Sequence, residues 1–295
     1  MTVDYLVTGA AGQLGRTVLR LAAARGHRAL GADVPGTSIP GVAIDTVSVD
    51  DREQVMRWVH EHRPAAVLHL GAWTDVDGCE LDPAKAERIN GTGTAYVAEA
   101  CRRAGSRLVY VSTDFVFDGS ATRPIPTDAT PRPISVYGWT KLAGERAVLD
   151  GGSKGFAVVR TAWVFGPGGK NFPRAILNRA LEGKDLEVVS DQVGRPTCTE
   201  DLATAVLDVA ASGESGIFHA CNEGECSWYE FARDIVREAG IRGVQVAPMA
   251  GTRLARPARR PAYSVLDTSR LTALRGRPLP HYLDALRRYL REELK

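Results

Sequence analysis

The chain lacks any run of ~20 consecutive apolar residues, which excludes a hydrophobic membrane-spanning helix. Cysteine is sparse and odd in number: Cys79, Cys101, Cys198, Cys221 and Cys226. Cys221 and Cys226 are too far apart for a CxxC knuckle, and His219 alone does not complete a zinc site. Reduced, buried thiols are expected, and no metal. An excess of one charge is also missing, since 37 Lys and Arg face 35 Asp and Glu for a net +2. The basic residues are scattered, which argues against a nucleic-acid surface. The opening residues MTVDYLVTG show no basic segment before an apolar stretch and no small-residue cleavage pattern, so no secretory signal and a cytoplasmic location are expected. Internal repeats and low-complexity tails are absent.

What the sequence does contain is alternation. Short, branched-rich runs at 4–8 (DYLVT), 28–33 (RALGAD), 66–70 (AVLHL), 107–112 (RLVYVS) and 156–161 (FAVVRT) read as buried parallel strands. Helical patterns at 12–25, 52–62, 83–103 and 137–149 separate them. The repeated strand–helix order predicts an α/β fold, a Rossmann-type doubly wound parallel sheet with right-handed crossovers. The second half is less regular. Helices are expected at 171–181, 201–211, 227–239 and 281–294, strands at 186–190 and 217–220, and a loop at 253–261. The expected plan is a nucleotide-binding domain over 1–165 and a smaller, mainly substrate-binding C-terminal lobe over 166–295. Later segments, about 191–222 and 256–272, are expected to return to or border the first domain.

Between the first strand and first helix lies Gly9-Ala10-Ala11-Gly12-Gln13-Leu14-Gly15. Glycines permit a tight turn there and let backbone N–H groups approach a pyrophosphate, at which the helix also aims its positive end. The position of this motif within the alternating pattern, more than its spacing, marks a dinucleotide site. Gly9, Ala11, Gly12, Gln13, Leu14 and Gly15 are the candidate cradle. Asp33 ends the second strand, where a carboxylate accepts from an adenosine ribose and repels a 2′-phosphate; no arginine follows closely, which alone favours NADH.

Ser112-Thr113-Asp114 ends the fourth of these strands, and Tyr137-Gly138-Trp139-Thr140-Lys141 opens a helix. Residues four apart share one helix face. Ketone reduction needs hydride from a nicotinamide and a proton for the developing alkoxide. A phenol can supply the proton if a nearby ammonium lowers its usual pKa of ~10. Tyr137 is therefore the expected acid. Lys141 is its electrostatic partner and a ligand for the nicotinamide ribose, and Thr113 polarises the carbonyl.

With these motifs in place, the sequence resembles the extended short-chain dehydrogenase/reductase superfamily, and within it the dTDP-4-dehydrorhamnose reductases. The matching stretches are VTGAAGQLG, VSTDFVFDG, PISVYGWTKLAGE, RTAWVFGPGGKNF, SDQVGRPTCTEDLA and RRPAYSVLDTSRL. The resemblance implies NADPH- or NADH-dependent reduction of the C4 keto group of dTDP-6-deoxy-L-lyxo-4-hexulose to dTDP-L-rhamnose. It implies that Leu70, Gly71, Ala72 and Thr74 line the cofactor and substrate cleft, that Asp114, Phe115 and Trp163 pack around the sugar, and that Gln192, in Asp191-Gln192-x-Gly194-x-Pro196-Thr197, shapes the substrate lobe. Asn90 matches an asparagine that is structural or part of a proton relay in the superfamily. Related 4,6-dehydratases carry Thr-Asp-Glu at the end of this strand. Phe115 replaces the acid here, so a net reductase is expected rather than a dehydratase; a 4-epimerase would use the same Tyr and Lys, and the reductase-like stretches around Trp163 and Gln192 stand against it.

Arg253, Arg256, Arg259 and Arg260 precede Pro261. A guanidinium fork suits a diphosphate, so Arg256 and Arg260 are candidate ligands for the dTDP group. Some relatives form metal-bridged dimers through a glutamate just after the glycine turn; Arg16-Thr17-Val18 holds no acid, so metal is not expected and the chain is read as a monomer or homodimer. Two alternatives stay open: a 4-ketoreductase of another nucleotide deoxysugar, and a non-catalytic NADP-binding regulatory subunit like the one that accompanies methionine adenosyltransferase. Trp58, Trp73 and Trp228 read as packing or surface residues, and His69 as a strand-end residue without catalytic work.

Overall fold

The computed structural model describes residues 3–294. The first strands are β1 (Tyr5–Thr8), β2 (Ala29–Asp33), β3 (Ile44–Thr46), β4 (Ala66–His69), β5 (Arg107–Thr113) and β6 (Phe156–Thr161). Short strands follow: β7 (Val164–Phe165), β8 (Leu186–Val189), β9 (Val193–Gly194) and β10 (Thr197–Cys198). The last are β11 (Gly216–His219), β12 (Cys226–Ser227) and β13 (Val246–Met249). Seven of them form one sheet in the order β11-β6-β5-β4-β1-β2-β3, every neighbouring pair parallel. The order reverses between β1 and β4, and the crevice at such a switch point, at the carboxyl ends of the strands, is where doubly wound sheets bind ligands.

Helices cover both faces. On one, α1 (Gln13–Ala24) packs on α8 (Thr199–Ser212), and Val18, Ala22, Leu202 and Val206 close over Val7 and Leu68 of the sheet. On the other, α2 (Arg52–His62) and α5 (Gly93–Ala104) pack together, and Val55, Trp58, Val97 and Cys101 cover Leu6, Val67 and Leu108. The strands are apolar on both sides because both sides are buried. Asp51 caps α2 through the Gln54 amide, and Ser135 caps α6 (Val136–Leu149) through the Gly138 amide.

A separate core joins α7 (Phe172–Leu181), α9 (Trp228–Glu238) and α11 (Tyr282–Glu293) with β8, through Ile176, Leu186, Phe231, Ile235 and Leu286. Ser227 and Glu230 form a capping box that starts α9. The C-terminal half also feeds the main sheet: β11 pairs with β6, and α8 and α10 (Ser269–Arg275) pack beneath it.

The structure differs from the sequence reading in several elements. The helix expected over 83–103 is interrupted: α4 (Pro83–Ala86) runs into a π-helical turn, Glu87–Thr92, before α5. A further short helix, α3 (Val76–Leu81), precedes it. β3 is too short to show alternation. β13 contains Pro248, which lacks an N–H and is tolerated because β13 pairs on one side only, with β8.

Candidate active site

The first wall of the crevice is the glycine turn. Gly9 has φ +65°, and a Cβ there would lie 2.8 Å from Gly71 Cα, so the turn after β1 and the loop after β4 touch backbone to backbone. A Cβ on Gly15 would run into the Gly9 carbonyl oxygen. Gly12 caps α1 with no side chain, so its first amides face the crevice without a capping oxygen. Leu14 faces inward to the core. Gln13 reaches across the crevice instead: its Nε2 donates to the Lys170 carbonyl (3.0 Å) and its Oε1 accepts from Asn171 Nδ2 (3.1 Å).

Asp33 stands at the end of β2, but its carboxylate is already engaged. Oδ2 accepts from the Ala11 amide at 2.8 Å and Oδ1 from the Val34 amide at 2.8 Å. The acid therefore braces the glycine turn as well as facing the crevice.

Behind the loop 70–74, Thr8 Oγ1 accepts the Leu70 and Gly71 amides (both 3.2 Å) and so must donate to His69 Nδ1 (2.7 Å). His69 Nε2 then donates to Thr94 Oγ1 (3.1 Å), whose own proton goes to the Asn90 carbonyl (2.7 Å). His69 is wholly buried and held neutral, its pKa pushed down to about 3 by burial and then by the Lys141 charge. Asn90, in the π-helical turn, accepts the Trp73 amide (2.8 Å) and donates to the Trp73 carbonyl (3.1 Å). Its geometry is that of a clamp on the loop. Ala72 is half-buried in this loop and Thr74 exposed.

The chemistry sits at the end of β5. Thr113 Oγ1 donates to Asp114 Oδ1 (3.0 Å) and accepts the Phe115 amide (3.2 Å). Asp114 is buried, and Ser264 Oγ donates to its Oδ2 at 2.5 Å. Burial raises its carboxyl to about 6 against the opposing hydrogen bonds from Ser264 and Thr113. Tyr137 is 8% exposed, edge-on to Phe115 with ring centroids 5.6 Å apart. Burial, followed by the Asp114 charge, drives its phenol well above the usual range, the reverse of the lowering by Lys141 that the sequence led one to expect. One helical turn on, Lys141 Nζ donates to the Val111 carbonyl (2.8 Å) and lies 4.2 Å over the Tyr110 ring. Burial lowers its ammonium to about 7, with Glu145 opposing. Thr113, Tyr137 and Lys141 are thus brought together over the end of β5, in a desolvated setting that favours neutral forms.

Beside them opens a cavity of about 620 Å³. Phe115, Trp163, Gln192, Arg256 and Arg260 all line it, and Ser264 ties its wall to Asp114. Trp163 adopts φ +48°, unusual for a bulky residue, and stacks on Trp228 with centroids 3.5 Å apart. Gly194 makes room beneath it: a Cβ there would come within 2.6 Å of the indole. Trp228 and Phe172 line the same cavity, so Trp228 serves the pocket as well as packing. Nothing local in the sequence marks Trp228 or Ser264, because their partners are distant in the chain.

The two arginines differ. Arg260 is committed to Asp77 through Nη1–Oδ1 (2.8 Å) and Nη2–Oδ2 (2.7 Å), and also donates to the Ala258 carbonyl. Arg256 shares the cavity wall and, among the described residues, has no such bidentate partner. Among the described residues, no group of three or more His, Cys, Asp or Glu is placed to hold a metal.

A parallel sheet in this order, a glycine turn at its switch point and a Thr–Tyr–Lys set at the end of β5 define a Rossmann-type fold of the short-chain dehydrogenase/reductase kind. A sequence profile described as "RmlD substrate binding domain" matches residues 3–295. The chain is 42% identical over 289 residues to a dTDP-4-dehydrorhamnose reductase of Streptomyces griseus, covering 96% of this chain and 91% of the relative. It is 38% identical over 286 residues to a dTDP-4-keto-6-deoxy-D-glucose reductase of Streptomyces niveus, covering 97% and 96%. The crystal structure of a Bacillus anthracis dTDP-4-dehydrorhamnose reductase in complex with NADP superposes with TM-score 0.90 at 31% identity, covering 99% of this chain and 100% of that one. The chain belongs to the dTDP-4-dehydrorhamnose reductase family.

Proposed function

We propose that this protein reduces the C4 keto group of a dTDP-linked 6-deoxy sugar, dTDP-6-deoxy-L-lyxo-4-hexulose, to give dTDP-L-rhamnose, using NADPH or NADH. The observation that carries this reading is the placement of Thr113, Tyr137 and Lys141 beside a cavity walled by Phe115, Trp163, Gln192 and Arg256.

The residues fit a nicotinamide dinucleotide. A side chain at Gly9 or Gly15 would collide with the backbone of Gly71 or of Gly9 and Ala10, so only glycine lets the turn close this tightly, and α1 has no side-chain cap. Ala11, Gly12, Gln13, Leu14 and Asp33 would hold the adenosine diphosphate half, while Leu70, Gly71, Ala72, Thr74 and Lys141 would hold the nicotinamide half. The bound cofactor supplies hydride to C4. Thr113 then turns its hydroxyl from Asp114 to the C4 oxygen, where negative charge develops. Tyr137 delivers its phenolic proton to that oxygen, and the Lys141 ammonium compensates the phenolate that remains.

We place residues 1–165 as the cofactor-binding unit and 166–295 mainly as the sugar-nucleotide unit, working in the cytoplasm as a monomer or homodimer. The five free, buried thiols support a reducing compartment. Another deoxysugar is a second reading, favoured by the similarity to the Streptomyces niveus relative with a different named substrate. Rates with both dTDP-4-keto sugars, each with NADH and NADPH, test the assignment. A preference of about tenfold or more in kcat/KM for the lyxo-hexulose supports it, and the reverse preference rejects it.

A further inference from the structure

Lys141 and Glu145 are four residues apart on α6 and share one helix face. Both are buried, Lys141 2% exposed and Glu145 1%. Glu145 is held by three donors. Ser112 Oγ (2.6 Å) and Arg160 Nε (2.9 Å) reach Oε1, and Arg160 Nη2 (2.6 Å) reaches Oε2. Arg160, on β6, is 1% exposed, and its Nη1 is buried with no hydrogen-bond partner among the described residues. A buried ion pair of this kind gains little net stability over a well-packed apolar pair, and leaving an arginine N–H unsatisfied costs more. Stability therefore gives weak grounds for the pair. Glu145 spends its direct contacts on Arg160 and Ser112, and Lys141 donates to the Val111 carbonyl, so Glu145 acts on Lys141 through space from one helical turn away.

We propose that Glu145 is a positioning residue for the reduction: fixed by Arg160 and Ser112 one helical turn from Lys141, it is the nearby anion that keeps Lys141 in its working form. The groups facing Lys141 are few. From β4 comes His69, kept neutral by burial and hydrogen-bonded to Thr8 and Thr94. From β5 come the Tyr110 ring and the Val111 carbonyl. On α6 itself stand Tyr137, uncharged, and Glu145. Arg160 reaches the site from β6 only through Glu145. Asp114 lies beyond Tyr137 and is occupied by Ser264 and Thr113. Burial favours a neutral Lys141 near physiological pH, and Glu145 is the group that opposes it. Removing the Glu145 charge makes Lys141 lose its proton at lower pH.

The inference rests on Lys141 acting beside the cofactor, as proposed above, so the test reads cofactor binding as well as turnover. Wild type, Glu145→Gln and Glu145→Asp are compared from about pH 5.5 to 9.5 by NADPH dissociation constant and by kcat/KM for the keto sugar. The expected result is an alkaline limb that moves acidward by about one pH unit in Glu145→Gln, in both measurements. Glu145→Asp, which keeps the charge, should restore it to near the wild-type position. A merely structural role would lower the melting temperature of both variants and leave the limbs where they are, and that result overturns the inference. If Glu145→Gln does not fold, the double variant Glu145→Gln/Arg160→Met, which removes both buried charges, is measured instead. It should move the limb in the same direction by a smaller amount, and an unmoved limb again overturns the inference. Wild type that binds NADPH without turning over the sugar rejects the functional reading instead, while the binding limb still decides the role of Glu145.

Discussion

Arg260 and Asp77 are joined by a two-pronged ion pair, at 2.8 and 2.7 Å, that ties the C-terminal arginine segment to α3, behind the cofactor-side loop. The Arg260 guanidinium holds the Asp77 carboxyl below its usual range. The pair therefore contributes stability above the unfolded carboxylate pKa and loses it as pH falls through the lowered folded value. Arg260→Ala should lower the melting temperature at pH 7, and the deficit relative to wild type should shrink toward pH 3. Arg256→Ala, without that partner, should leave the melting temperature within about a degree and raise the KM for the dTDP-sugar about tenfold, the worth of one charge-assisted contact. An unchanged KM in both variants would remove these arginines from the diphosphate site. Differential scanning fluorimetry and steady-state kinetics check the two halves.

Tyr137→Phe removes only the phenolic oxygen from an edge-on contact with Phe115. Cofactor affinity should be unchanged within a factor of two or so, while ketone reduction falls by about 10²–10⁴-fold, the usual worth of a general acid. Equilibrium titration with NADPH and single-turnover kinetics separate the two effects.

Asp114 makes a pH prediction of the opposite sign to Asp77. Burial raises its folded pKa from 3.8 to about 6. The protonated form is the better tolerated one, so the contribution to stability is full below the unfolded pKa and is lost as pH rises through about 6. Asp114→Asn removes the charge; its single carbonyl oxygen can accept from Ser264 or Thr113 but not both, and its amide nitrogen faces the other hydroxyl as a donor. Relative to this variant, wild type should lose about 1–3 kcal/mol between pH 4 and pH 7, because each tenfold change in proton affinity on folding is worth ~1.4 kcal/mol. Urea denaturation at the two pH values measures it.

Asp33 accepts the Ala11 amide and stands where an adenosine ribose would lie. Asp33→Ala should raise the KM for NADH several-fold, because it removes both a brace of the glycine turn and a ribose acceptor. It should raise the KM for NADPH less or lower it, because it also removes a charge that repels the 2′-phosphate. The ratio of the two kcat/KM values should move toward NADPH by about tenfold. Parallel kinetics with both cofactors read that ratio.

Local signals made much of the fold legible. The five early strands begin within a residue of the positions that their branched, apolar runs indicate, and α2 spans the residues its pattern predicts. The glycine turn and the Tyr137–Lys141 spacing are visible because a tight turn and a shared helix face each depend on residues a few positions apart. The less legible features depend on long-range packing. Ser264 reaches Asp114 across 150 residues, and Arg260 reaches Asp77 across 183. Trp228 reads as a packing residue until Trp163 is seen stacked on it. The π-helical turn at Glu87–Thr92 arises where Asn90 clamps the backbone of Trp73. No helical periodicity announces such a constraint.

The end of β5 and the start of α6 together form the proposed carbonyl-reducing site for a dTDP-linked sugar. The most direct test incubates the protein with dTDP-6-deoxy-L-lyxo-4-hexulose and NADPH or NADH, follows loss of the reduced nicotinamide absorbance, and identifies the product by chromatography. Stoichiometric cofactor oxidation with formation of dTDP-L-rhamnose is the expected result, slowed about 10²–10⁴-fold in Tyr137→Phe. Tight cofactor binding with no oxidation in the wild-type protein would contradict it and would favour a cofactor-binding regulatory role.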